Sequence, residues 1–325
     1  MKEFYTHQQQ LDKLKERNLK IEEEQEKSVL EHLKRVGYYN IINGYSKLFK
    51  SKDENGDNHY SDDATFDNIL ALYNFDKALR STLYKYTSSI ECYVKEAIAH
   101  EFSRVHSVKE EDYLKEECFS SKHPDDVKSL IEECKNVIKE STNDKTSRFR
   151  SYLTHTKNKH GHVPMWILIR ALTFGKASIF FKNMLDEEKE KIACDYNLTP
   201  NQMSTMLEFV VFFRNIVAHG ERTFCTKAYR TRIPAKLNII SNLTIPRNKD
   251  GSYKYGRSDF LALLICCKYF LPSEEFAGLI EEVDSLFEIV SSLSDTRIRK
   301  IKIEMGLVNI DLVELSKAKT KLVKK

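Results

Sequence analysis

From Thr65 to Phe102, apolar side chains recur at steps of three and four residues: Phe66, Ile69, Leu70, Tyr73, Leu79, Leu83, Tyr86, Ile90, Tyr93, Val94 and Ile98. That period belongs to one long amphipathic helix, with Thr65 as its N-cap. Glycine and proline number only 10 and 6 in 325 residues, which favours long helices over a turn-rich β architecture. The expected fold class is all-α, with a chain long enough for one large core or two modest ones.

Shorter signals place the other elements. Residues 1–36 read as two short helices with a break near Arg17-Asn18. The stretch from Leu33 to Tyr45 (LKRVGYYNIINGY) has a glycine towards each end and reads as a helix–turn–helix junction packed on the core rather than as a binding surface. Lys50–Tyr60 is a polar loop. Residues 1–60 thus form an N-terminal helical arm, and 61–325 a helical bundle. Within the bundle, helices are expected over Val127–Ile138, around Phe149–Leu153, and from Pro164 onwards, where Trp166 is expected to be buried; Ile179–Met184 continues that apolar face. Thr199 and Pro200 open a further helix as N-cap and first residue. Asn-Lys-Asp-Gly between Leu243–Ile245 and Tyr253–Tyr255 predicts a small β-hairpin insertion. Ser258 or Asp259 then caps a helix through Phe270, a final helix spans Ser273–Leu293, and a basic, weakly ordered tail follows.

Charge is unevenly spread. The net charge is only +4, yet residues 145–182 hold eight Lys/Arg and no acid, and 214–257 hold ten against Glu221 and Asp250. Such segments suit a polyanion, although solvated helix faces carry lysines too. Arg148, Arg150, Lys157, Lys159, His160, Lys176, Arg222, Lys227, Arg230 and Arg232 are the candidate RNA contacts. His155, His160 and His162 lack the Cys or carboxylate company of a metal site. Seven scattered cysteines without a C-x-x-C pair read as reduced thiols of a cytoplasmic protein, with Cys266-Cys267 in the core. No apolar run is long enough to span a bilayer. No P-loop, dinucleotide fingerprint or G-x-S-x-G stands in the chain, and no cofactor or metal is expected.

The chemistry concentrates in FFRNIVAHGERTF (212–224). An apolar helical run delivers Arg214, Asn215 and His219, and Gly220 suits the helix stop. Histidine can move protons near neutral pH, and arginine offers phosphate a permanent, forked cation. On an ideal helix, Asn215 and His219 share a face, while Arg214 and His219 point about 140° apart. One copy is therefore a poor pocket, and two copies facing each other could converge. The structural alternative has His219 ending a helix and Arg214 in an ion pair. Asp76, Arg80 and Glu91 on the long helix could face the bundle interior, where a carboxylate can orient an arginine.

Four segments in order, LKRVGYYNIINGY (33–45), TFDNILALYNFDKALRSTLYKYTSSIECYVKEAIAHEF (65–102), PMWILIRALTFGKAS (164–178) and FFRNIVAHGERTF (212–224), resemble the Abi-like (AbiD/AbiF) abortive-infection proteins of the HEPN superfamily. The resemblance implies a HEPN-type helical bundle that dimerises so that two Arg-x4-His motifs form one metal-independent ribonuclease site, in phage defence or toxin–antitoxin control. Arg214 and His219 would be the catalytic pair, Asn215 the polar residue beside them, and Glu91 a supporting brace. The chain departs from the pattern at Arg170, Gly220 and Cys225. Three functions are weighed, and the first two are a homodimeric endoribonuclease and a non-catalytic module that binds a structured non-coding RNA. A bundle engaging only protein partners is the third.

Overall fold

A computed structural model describes residues 3–52, 58–141 and 151–321. Two helices begin it, α1 (His7–Glu16) and α2 (Glu26–Val36). The break falls at Asn18, whose φ is 64°, a conformation asparagine tolerates. Tyr39–Asn43 then makes a π-helical turn. Strands β1 (Lys50–Lys52) and β2 (Asn58–Tyr60) pair antiparallel, with Lys50 opposite Tyr60. The hairpin therefore lies in the segment read as a polar loop.

Helix α3 (Phe66–Val105) is the expected long helix. The Thr65 hydroxyl accepts from the Asn68 N–H, and the Asn68 side chain accepts from the Thr65 N–H, closing a capping box. Ile69, Leu72, Leu79, Leu83, Ile90, Val94 and Ile98 are fully buried along one stripe. Tyr93 falls off it and is 36% exposed, its hydroxyl bonded to Glu275. The chain continues through α4 (Glu110–Tyr113), α5 (Pro124–Ser141), α6 (Ser151–His160), α7 (Met165–Ala171) and α8 (Phe174–Asn183). Next come α9 (Asp186–Asp195), α10 (Pro200–Ala218), α11 (Asn238–Asn242) and α12 (Phe260–Phe270). The last three are α13 (Ser273–Ser285), α14 (Asp295–Met305) and α15 (Leu312–Lys317). Helix α3 packs against α7, α8, α9, α10, α12 and α13, so the fold is mostly α and built around it.

Four expectations are corrected. Helices α7 and α8 are separate, because the Thr173 hydroxyl accepts from the Lys176 N–H and starts a new helix. Helix α7 buries Met165, Leu168 and Ile169, which turns Trp166 to the other side, where it is 43% exposed. The segment 243–256 forms no strands but a tight turn with one isolated bridge, Arg247 to Tyr253. Pro246 offers no N–H for a ladder, and the turn is held instead by the Arg247 guanidinium, stacked 4.1 Å over the Tyr253 ring and bonded to the Gly251 carbonyl at 2.7 Å. Finally, the described residues after α13, up to residue 321, do not trail off; the helix gives way to a 3-10 turn at Leu286–Val290. Residues 312–321 pack back: Leu315 is fully buried, Lys268 donates to the Ser316 carbonyl at 2.6 Å, and Asn238 bonds the backbone of Lys319 and Lys321 at 2.7 and 3.0 Å.

One contiguous apolar core runs from Leu11 and Leu14 in α1 to Leu315. Helix α12 is buried on every side, and its Cys267 thiol is pushed up to about 12 by that burial. Among the described residues no helix is long and apolar enough to cross a membrane. Leu79 sits at the middle of the α3 stripe with no exposed surface. Leu79→Ala is therefore expected to lower stability by about 2–5 kcal/mol, against roughly 0.5 kcal/mol or less for the exposed neighbour Asn74→Ala, as measured by urea denaturation.

Candidate active site

Helix α10 fixes the site by its two ends. At the start, Thr199 and Gln202 close a capping box with Pro200 in the first turn. Met203, Met206, Leu207, Val210, Phe213 and Val217 form its buried stripe. At the finish, Gly220 takes a φ of 71°. The Gly220 N–H donates to the Val217 carbonyl at 3.2 Å and the Glu221 N–H to the Ile216 carbonyl at 3.0 Å, the paired bonds of a Schellman end. A Cβ at Gly220 would meet nothing within 4 Å, so the positive φ alone selects glycine there.

This framing sets three side chains in different surroundings. Arg214 follows buried Phe213 and is half-buried; its Nη2 lies 3.2 Å from Glu91 Oε2 on α3. The other Glu91 oxygen is 2.6 Å from Lys95 Nζ, which also donates to the Leu172 carbonyl at 2.6 Å. One carboxylate thus ties α3, α10 and the end of α7. Arg214 Nε is buried without a partner. Asn215 and His219 are exposed, and neither side chain makes a hydrogen bond among the described residues. Both halves of the structural alternative are present, an Arg214 ion pair and His219 at the helix end. The end itself, however, is closed by backbone groups, and the imidazole is left uncommitted.

The chain after Gly220 is fixed by Asp76, a fully buried residue of α3. Its carboxylate accepts from the Phe224 N–H at 2.7 Å, the Thr223 N–H at 3.1 Å, the Tyr45 hydroxyl at 2.6 Å and Arg80 Nη1 at 2.7 Å. Burial pushes the Asp76 carboxyl up, against the pull of Tyr45, Arg80 and the two N–H groups. Tyr45 is raised well above an ordinary phenol by burial and by the Asp76 charge. Arg80 reaches on to the Glu221 carbonyl at 3.5 Å.

Beside this knot lies a cleft of about 350 Å³, lined by Tyr39, Asn40, Asn43, Arg80, His219 and Arg222 among others. The Arg222 guanidinium donates to the Gly44 carbonyl. The 33–45 junction therefore does more than pack on the core. Ile41, Ile42 and Tyr45 are buried, as a junction packed on the core requires, while Tyr39, Asn40 and Asn43 turn outward and line the cleft with His219. The signal was there in the polar residues interleaved with the buried ones. Arg214 does not line this cleft.

The structure sorts the other candidates. Arg148 and Arg150 lie outside the described residues. Lys157 pairs with Glu110, Lys176 with Glu133, and Lys227 approaches Glu304 at 3.9 Å. These acids come from distant segments, so counting charge along the sequence missed them. Lys159, His160, Arg230 and Arg232 are exposed and form no ion pair among the described residues. No group of three His, Cys, Asp or Glu among the described residues is placed to hold a metal ion. Burial pushes the Cys225 thiol up to about 11.

No curated protein and no solved structure matches the chain. A family model described as Abi-like protein matches residues 31–225, from α2 through the segment that Asp76 fixes, and so takes in both sides of the cleft and the Glu91–Arg214 pair. That stretch is more than half of the 325 residues, and the chain belongs to the Abi-like protein family.

Proposed function

We propose that this protein is an endoribonuclease of bacterial phage defence, metal-independent and active as a homodimer of the HEPN type. Membership of the Abi-like family points to abortive infection. The observation that carries the catalytic reading is the pairing of a braced arginine with an uncommitted histidine on one helix end. Glu91 holds one Nη of Arg214, which leaves other guanidinium donors for a phosphate. His219 carries an exposed imidazole at the end of α10.

In this mechanism an RNA 2′-hydroxyl attacks the adjacent phosphorus. One His219 imidazole takes its proton and a protonated His219 imidazole of the second copy delivers one to the departing 5′-oxygen, Arg214 stabilises the charge that gathers on the phosphoryl oxygens, and Asn215 orients the reacting group. The products are a 2′,3′-cyclic phosphate and a 5′-hydroxyl. Arg214 lies outside the cleft that His219 lines, and side chains five residues apart leave a helix about 140° from each other, so in this mechanism a second copy brings both groups to one phosphate. Exposed Tyr84 and Ala218, with Lys77 and Val217, line a shallow hollow on the α3–α10 seam beside the motif, and this seam supplies a surface for that copy. A cytoplasmic site of action fits an RNA substrate.

A second reading, an RNA-binding protein that does not cut, draws support from the engagement of Arg214 by Glu91 within its own chain. Cleavage separates the two. His219→Ala and Arg214→Ala are each expected to abolish RNA cleavage, scored by the loss of new 5′-hydroxyl ends, with the protein still eluting at twice the chain mass in size-exclusion chromatography with light scattering. Wild-type protein that leaves total RNA intact would favour the binder, and a His219→Ala variant as fast as wild type would sink the nuclease. Glu91→Gln keeps the shape but removes the charge that holds Arg214. It should slow cleavage by about 10- to 100-fold, in the range expected for a supporting group acting through its neighbour, while leaving the dimer intact.

A further inference from the structure

The cleft beside His219 contains groups that proton transfer does not require. Tyr39 is 72% exposed at its rim, a large ring left in water although Ile41 and Ile42 just after it are buried. It stands on a π-helical turn, a backbone form that concentrates at functional sites. The Asn40 Nδ2 donates to the Val36 carbonyl at 2.8 Å, and its Oδ1 remains an acceptor. The Asn43 amide makes no side-chain hydrogen bond among the described residues, so it offers both a donor and an acceptor. Arg222 spends one N–H on the Gly44 carbonyl and keeps the rest of its donors. Glu221 is the carboxylate that lines the cleft, and Arg80 is bonded to its backbone carbonyl.

These groups match the parts of one nucleotide. An exposed tyrosine stacks on any base, a free amide pairs with a base edge, and a partly free guanidinium takes a phosphate. The volume of about 350 Å³ lies within the ~300–1,000 Å³ of small-ligand pockets. The wall is also preformed. Tyr45, six residues beyond Tyr39, is bonded to Asp76, and Arg222 is followed by the two N–H groups that Asp76 holds. Little ordering is then left to oppose binding.

We propose that this cleft is a subsite for one unpaired RNA nucleotide flanking the bond that is cut, with its base stacked on Tyr39, its base edge against Asn43 and its phosphate on Arg222. The choice of RNA rests on the ribonuclease reading above, whereas the subsite rests on the cleft. Tyr39 is a binding residue and takes no part in the chemistry.

The test uses full-length protein carrying His219→Ala and a fluorescein-labelled single-stranded RNA 12-mer of mixed sequence, with Kd read by fluorescence anisotropy. Loss of a stacked base by alanine substitution corresponds to about a 5- to 140-fold rise in Kd, and Tyr39→Ala is expected to fall in that range. Tyr39→Phe should stay within about twofold, and Tyr39→Leu, which keeps the bulk but cannot stack, should behave like Tyr39→Ala. Arg222→Ala should weaken binding and flatten its salt dependence by roughly one phosphate contact. Replacing one nucleotide at a time by an abasic unit should reveal a position at which Tyr39→Ala no longer matters. Tight RNA binding that is indifferent to Tyr39→Ala and Tyr39→Leu would overturn the subsite and leave the ribonuclease reading standing. No RNA binding by the His219→Ala parent would overturn both.

Discussion

The carboxylate of Asp76 is the interaction on which the functional end of this fold depends. A fully buried acid is costly unless donors surround it, and Asp76 collects them from three parts of the chain: Tyr45 before α3, Arg80 within it, and the backbone of Thr223 and Phe224 after α10. Each donor is also where its segment must be for the cleft to exist. Tyr45 sets the junction that carries Tyr39 and Asn43, and the two N–H groups turn the chain back past Arg222. The dependence runs both ways. Without those segments the carboxylate would be buried and unpaired, and without the carboxylate the N–H groups of 223 and 224 would be the orphans.

A second carboxylate on the same helix does the matching work for the other half of the motif. Glu91 meets Arg214, Arg80 meets Glu221 and Asp76 meets Thr223, so α10 and its continuation run antiparallel to α3. Glu91 and Arg80 are eleven residues apart, about 16 Å along a helix rising 1.5 Å per residue. The arginine and the cleft that receives the histidine are thus held at separate stations on one rigid rod. Arg214 is anchored to Glu91, and the turn after His219 to Arg80 and Asp76, so the two ends of the motif are fixed to different points of α3 while the His219 ring itself makes no bond among the described residues.

What the sequence disclosed follows the range of each interaction. Caps and stops are written within three or four residues, and Thr65, Thr199, Asp259 and Gly220 all act as expected. The stripe of α3 was equally legible, because it repeats. The family was legible too, from ordered blocks that residues 31–225 contain. The misreadings came from partners far apart in sequence. Trp166 was judged by its type, whereas three neighbours on α7 decided which side was buried. Lys157, Lys176 and Lys227 looked like free charge until Glu110, Glu133 and Glu304 arrived from elsewhere. The C-terminal residues looked like a tail because nothing local announces that Asn238 and Lys268 bond their backbone. The cleft was lost for the same reason, since its two walls are more than 170 residues apart in sequence, as Gly44 and Arg222 show.

The structural and functional readings of Arg214 and His219 can be weighed by how well each group is satisfied. A residue kept only for stability should have its polar atoms paired, because a buried donor left without a partner costs about 1–3 kcal/mol. The neighbours obey this. The end of α10 is closed by backbone bonds from Gly220 and Glu221, and Asp76 accepts from four groups. Arg214 does not, for its Nε is buried and unpartnered even though Glu91 occupies Nη2. His219 adds nothing to the helix end through its ring. Buried side-chain atoms without a partner also occur at Gln10, Tyr60, Ser103, Ser141 and Asn183, but Arg214 is the one among them that carries a charge, and a charged donor left unpaired is the costlier case. An arginine with a buried donor to spare and an exposed histidine with an uncommitted ring, on one helix end, suit a site that a phosphate completes better than a purely structural role.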